Sequence, residues 1–117
     1  MALLNFQKRF AEDIMDGKKN QTIRKHRKYP VKRGETLYLY TGLRTKKAEK
    51  LKEAKCKDTF DITITHKIVY FSSGAALNSL EMLEPFAKAD GFEDWTAMLS
   101  WFENTHGLPF KGQLITW

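Results

Sequence analysis

The chain has 117 residues, 42% of them hydrophobic, which suits a single α+β domain over residues 1–117 and is too short for two cores. Cys56 is the one cysteine, which excludes an internal disulfide and a cysteine-rich zinc site; no apolar run reaches membrane-span length and Lys8 and Arg9 break any secretory signal, so a soluble, cytoplasmic protein is expected. The net charge of +6 is segregated, with 15 Lys or Arg against three acids in residues 18–57 and three lysines against eight acids in residues 58–117; such a polarity attracts nucleic acid, nucleotides or other anions, unless it is only a solvated lysine-rich surface.

In chain order, Phe6, Phe10, Ala11, Ile14 and Met15 recur at helical spacing and Gly17 suits a C′ position, predicting a short amphipathic helix over 7–16. Residues 20–24 read as a strand whose alternation puts Thr22 and Arg24 on one face and Ile23 on the other. Lys19 joins Thr22 only if the chain bends at Gly17 and Lys18, a bend that glycine permits. A basic loop over 25–33, with His26, Tyr29 and Pro30, leads through Arg33-Gly34-Glu35 into a strand over 36–40. Residues 45–55, rich in Lys, Glu, Ala and Leu, predict a short exposed helix. Residues 59–71 predict the longest strand, with Phe60, Ile62 and Ile64 on one parity and Asp61, Thr63 and Thr65 on the other. Helices are predicted over 77–89 and 95–105, the second with Trp95, Met98, Leu99 and Phe102 on one face and Gly107 as its stop. Gly112 to Trp117 reads as a closing strand. Strands and helices do not alternate regularly, which argues against a doubly wound sheet and for a small, strongly bent sheet or barrel with short helices at its mouth.

The segment Gly17-Lys18-Lys19-Asn20-Gln21-Thr22-Ile23-Arg24 gathers two lysines, a hydroxyl and an arginine at a helix-to-strand junction, and reads as the floor of a site. Its spacing Gly17-x-Lys19-x-x-x-x-Arg24 resembles the G-x-K-x-x-x-x-R signature of the ASCH superfamily, small β-barrels similar to the PUA fold. Lys19-x-x-Thr22-Ile23-Arg24, Ala89-Asp90-Gly91-Phe92 and Tyr40-Thr41-Gly42-Leu43-Arg44-Thr45-Lys46 extend the likeness, the first of them toward ASCH proteins that hydrolyse N4-acetylcytidine. The resemblance implies a PUA-like barrel and an amidohydrolase in which Lys19 is the base, Thr22 the nucleophile and Asp90 the carboxylate partner. Asp90 stands where those enzymes resemble one another in having glutamate, so Glu93 is a second candidate for that role.

The chemistry has its own logic. Thr22 Oγ can attack an amide carbonyl if a neutral Lys19 takes its proton, and neighbouring Lys18 and Arg24 with partial burial would lower the lysine pKa. Arg24, Arg44 or a backbone N–H are candidate oxyanion donors, and Tyr40 is a candidate substrate contact. Arg24 is alternatively a structural ion-pair partner of Asp90 or Glu35. His26, His66 and His106 stand at no metal-ligand spacing, so neither metal nor cofactor is expected. Tyr29, Tyr38, Tyr40, Phe71 and Trp117 are candidates for base stacking or, more simply, core residues. The lysines of 44–57 could follow a phosphate backbone or be the wet side of a helix. Two further readings therefore stay open beside a small-molecule nucleoside hydrolase: a non-catalytic RNA-binding ASCH module using residues 18–57, and an ASCH-type ribonuclease. A monomer or weak dimer is expected.

Overall fold

The computed structural model describes residues 2–117. Its elements run β1 (Ala2–Phe6), a 3₁₀ turn (Lys8–Phe10) passing into α1 (Ala11–Met15), β2 (Gln21–Lys25), β3 (Thr36–Thr41), β4 (Glu49–Lys55), β5 (Asp58–Ile64), β6 (Val69–Phe71), β7 (Ala76–Leu77), α2 (Leu80–Ala89), α3 (Trp95–His106) and β8 (Phe110–Thr116). The fold is α+β. Its strands pair as two sheets, a three-stranded one ordered β1-β3-β4 and a five-stranded one ordered β2-β8-β5-β6-β7.

β8 organises the packing because its two faces serve different cores. Phe110 and Leu114 join a cluster with Ile62, Ile64, Val69 and the inner faces of α2 and α3. Ile115, with Trp117 just beyond the strand, belongs to a second cluster with Ala2, Leu4, Phe6, Leu37 and Leu39 of the smaller sheet. Period-2 alternation alone requires this division. β2 lies antiparallel to β8, with Thr22 opposite Ile115 and Ile23 opposite Leu114, so it inherits the same two faces. Ile23 is buried among the helices, while Thr22 and Arg24 turn toward β1.

Three expectations need correction. Residues 45–55 are not a helix: Glu49–Lys55 form β4, antiparallel to β3. Leu51 and Ala54, three apart, suggest helical spacing, yet both pack on the same core. The register shifts between Leu39 and Tyr40, whose partners are Lys52 and Lys50, so Leu51 is an extra residue in a bulge and the odd spacing fits one strand face. The long strand over 59–71 is a hairpin, broken where Thr65 bonds Ile68 through both backbone and hydroxyl. The helix expected over 77–89 begins only at Leu80, because Ala76–Leu77 pair with β6. β1 adds a strand that the helical spacing of Phe6 and Phe10 obscured. Its burial alternates, with Ala2, Leu4 and Phe6 inside and Leu3 and Asn5 exposed, and it lies parallel to β3.

Among the described residues no helix is long and apolar enough to cross a membrane.

Candidate active site

Two helix ends deliver the ionisable pair of the site. After α1, Gly17 takes φ +79°, and the amides of Lys18 and Lys19 both donate to Asp13 O. This is the bend that lets Lys19 swing inward before β2 begins. The end of α2 is a Schellman turn: Gly91 N–H donates to Lys88 O and Phe92 N–H to Ala87 O, with Gly91 at φ +98° as the left-handed residue. A Cβ on Gly91 would stand 2.8 Å from the Phe10 ring and 3.3 Å from Lys19 Cδ. Glycine is therefore needed there twice, for its backbone angle and for the approach of Phe10 and Lys19.

Lys19, Thr22 and Asp90 are 2%, 5% and 5% exposed, a rare degree of burial for a lysine and an aspartate. Lys19 Nζ donates to the backbone carbonyl of Asp90 and stands 3.7 Å from Asp90 Oδ1. Gln21 Nε2 donates to the same Oδ1 at 3.3 Å. Arg24 Nε donates to Thr22 Oγ1 at 3.0 Å, and Arg24 Nη2 to Asn5 O at 2.7 Å. The face shared by Thr22 and Arg24 is thus a bonded unit, and the guanidinium bonds to the hydroxyl and to β1. It also lies 4.6 Å from the Phe6 ring.

Burial dominates the electrostatics. It pushes the Lys19 amine below its ordinary 10.5; Asp90 opposes this, while Arg24 and Arg9 reinforce it. The second helper is thus Arg9, not the exposed Lys18. Burial likewise raises the Asp90 carboxyl to about 6, against the pull of Lys19, Gln21 and Arg24. Arg24 falls to about 10, through burial and then Arg27. A water-poor pocket disfavours charge on both members of the Lys19–Asp90 pair.

Lys19, Thr22, Arg24 and Asp90 line one cavity of about 370 Å³, within the range of small-ligand pockets. The same cavity has aromatic lining that sequence reasoning missed: Phe10, Phe92, Trp101, Phe102 and His106, with Phe10 against Lys19 itself, 4.9 Å from Nζ to the ring centre. Phe92 packs on Trp101 at 5.9 Å and Trp101 on Phe102 at 4.9 Å between centroids. Trp101 borders the apolar stripe of α3 formed by Trp95, Met98 and Phe102 and packs against the same core, and a large apolar residue at the margin of its helix's stripe was the one available signal. His106, with its ring tilted against Phe110 at 4.8 Å between centroids, has its pKa lowered by burial and by Lys25. Asn5 and Gln7 complete the β1 side.

Of the expected site residues, Lys19, Thr22, Arg24 and Asp90 come together. Arg44, Tyr40 and Glu93 do not reach the cavity. Arg44 is exposed in a turn closed by the Thr45 N–H on Gly42 O. Tyr40 lies on the outer face of β3, opposite to buried Leu37 and Leu39. Phe92 turns inward, which sends Glu93 to the surface. Among the stacking candidates, Trp117 is core against Phe6 and Phe71 packs on Phe60, while Tyr29 is 77% exposed. Among the described residues no group of three His, Cys, Asp or Glu side chains could hold a metal ion.

Compared with protein-family profiles, curated proteins and solved structures, the chain matches none.

Proposed function

We propose that the protein is an amidohydrolase that removes the acyl group from N4-acetylcytidine and related N4-acylated cytosine nucleosides, within a PUA-like fold of the ASCH type. The observation that carries this reading is the convergence of a buried amine of lowered basicity with a threonine hydroxyl that an arginine holds by one lone pair. Because Arg24 Nε occupies the hydroxyl oxygen as a donor, the Thr22 O–H proton remains free to go to an acceptor. Neutral Lys19 is that acceptor. Thr22 Oγ attacks the acyl carbon, its proton passes to Lys19 Nζ, and the tetrahedral intermediate expels the exocyclic N4 as it takes that proton back. Water, deprotonated by Lys19, then attacks the threonyl ester, and Lys19 returns that proton to Thr22 Oγ as the ester bond breaks and the carboxylic acid is released. Arg24 stabilises the developing charge on Thr22 Oγ. Asp90 raises the amine's basicity and is held in place by Gln21. The reading of the fold as PUA-like draws support from β8 shared by both cores, and from Arg24 and Arg27 bridging the edges of β1 and β2.

The test is incubation of the protein with N4-acetylcytidine, other N4-acylcytidines and an unstructured RNA, with products followed by chromatography. Release of cytidine and acetate, little changed by salt, is the expected result. RNA cleavage without cytidine release rejects the proposal in favour of a ribonuclease.

A second reading draws on the three-stranded sheet. Its outer face carries Tyr38 and Tyr40 on the central strand, with Lys50 Nζ 5.4 Å from the Tyr38 ring centre. Lys55 donates to Thr36 Oγ1 on the same face. Aromatic rings flanked by cations suit single-stranded RNA. Binding that weakens steeply with salt would favour this module.

A further inference from the structure

Four consecutive residues, Thr22, Ile23, Arg24 and Lys25, line the cavity. Side chains of one strand face cannot do this, since alternate residues point to opposite faces; a strand offers consecutive residues to one space only along its edge. β2 is the terminal strand of its sheet, and its register states which peptide groups that edge presents. Trp117 N–H donates to Asn20 O, which makes Asn20–Trp117 a hydrogen-bonded pair of the antiparallel ladder. The pairs two and four residues on, Thr22–Ile115 and Arg24–Gln113, are then hydrogen-bonded too, and Gln21, Ile23 and Lys25 occupy the alternate positions. A Cβ on Gly112 would come within 2.4 Å of Arg24 O, so that carbonyl points toward β8, as the same alternation requires. The N–H and C=O of Ile23 consequently point away from β8, side by side, into the cavity.

A free edge invites another strand, but this one is obstructed. Arg24 crosses to Asn5 O and Arg27 to Leu3 O on β1, so guanidinium groups fill the space in which an added chain would run. What fits is a small planar group that offers an acceptor and a donor next to each other.

Resting on the amidohydrolase reading, we propose that the Ile23 peptide reads the nucleobase: its N–H donates to ring N3 of an N4-acylated cytosine and its C=O accepts from N4–H. Phe92 and Trp101 line the same cavity and would cover the ring face. The same edge accepts the product cytidine. Uridine reverses the donor and acceptor at these two positions and is refused in that orientation.

Amide hydrogen exchange followed by NMR tests this with cytidine and uridine as probes. In the free protein the Thr22 and Arg24 amides are expected to be protected and those of Ile23 and Lys25 to exchange fast. Saturating cytidine is expected to slow Ile23 exchange at least 10-fold, and uridine is expected to leave it unchanged. Cytidine that shifts the Trp101 indole without protecting Ile23 overturns the proposal, as does the absence of any cytidine binding. Replacing the Ile23 peptide N–H by an ester oxygen keeps the side chain and the ladder; it should weaken cytidine binding about 10-fold with the melting temperature preserved. Wild-type affinity in the ester variant also overturns it. Protection of Ile23 by cytidine in a protein that does not hydrolyse N4-acetylcytidine would reject the catalytic reading and leave the base-reading edge standing.

Discussion

The polar wall of the cavity is held by directional bonds, Arg24 to Thr22, Gln21 to Asp90 and Lys19 to the end of α2, whereas the aromatic wall is held by ring packing from α3 and the turn before it. A directional bond fails when one atom is lost. Packing degrades with the volume removed. The two walls should therefore respond to substitution in different observables, turnover for the first and stability or substrate affinity for the second.

The largest expected effect is on the polar wall. Thr22→Val and Lys19→Met should each lower turnover of N4-acetylcytidine by at least about 10³-fold, measured by product chromatography, while the protein remains folded by circular dichroism. Near-normal turnover in Thr22→Val would remove threonine as nucleophile. On the aromatic side, Phe102 is 1% exposed and touches both the helical core and the cavity. Phe102→Ala should destabilise the fold by about 3–5 kcal/mol, read from denaturant unfolding. Trp101 is only half-buried, and its loss should act mainly on the ligand: Trp101→Ala is expected to raise KM about 10-fold, with kcat changed much less.

The smallest effect is on pH dependence and concerns the ionisable pair itself. Asp90 is raised from 3.8 to about 6, so the folded protein holds that proton more tightly than the unfolded chain. The stability this contributes is complete below 3.8 and is lost as pH rises through about 6. Lys19 has the opposite sign: its amine lies below 10.5, so its contribution is present above that value and is lost as pH falls through the lowered one. Asp90→Asn should flatten the decline between 3.8 and about 6 in urea midpoints measured across pH. Because Asp90 raises the Lys19 pKa, the same variant should move the acid limb of the pH–rate profile to lower pH. An unmoved limb would uncouple Asp90 from the base.

How much was legible in the sequence follows from the range of the forces involved. The strand through Thr22 and Arg24 and the bend at Gly17 depend on a few neighbouring residues, and the shared face of Thr22 and Arg24 follows from alternation alone. The helix face of Trp95, Met98 and Phe102 was equally local, and all three are buried. β4 was illegible because its lysines and glutamates favour helix while pairing with β3, reached across the turn at 42–47, decides the outcome. Such tertiary override of propensity is ordinary for edge strands. β1 depends on a parallel partner more than 30 residues away in the chain, as the pairing of Ala2 with Leu37 shows.

At the site, the chain's own order determined which chemical groups stand at a helix-to-strand junction: an amine, a hydroxyl and a guanidinium in one short segment. It could not determine their protonation or surroundings. Those were decided when the end of α2 closed over Lys19 and α3 brought Trp101 and His106 opposite β2, because desolvation and ring contact depend on distances across the fold, which no local pattern specifies.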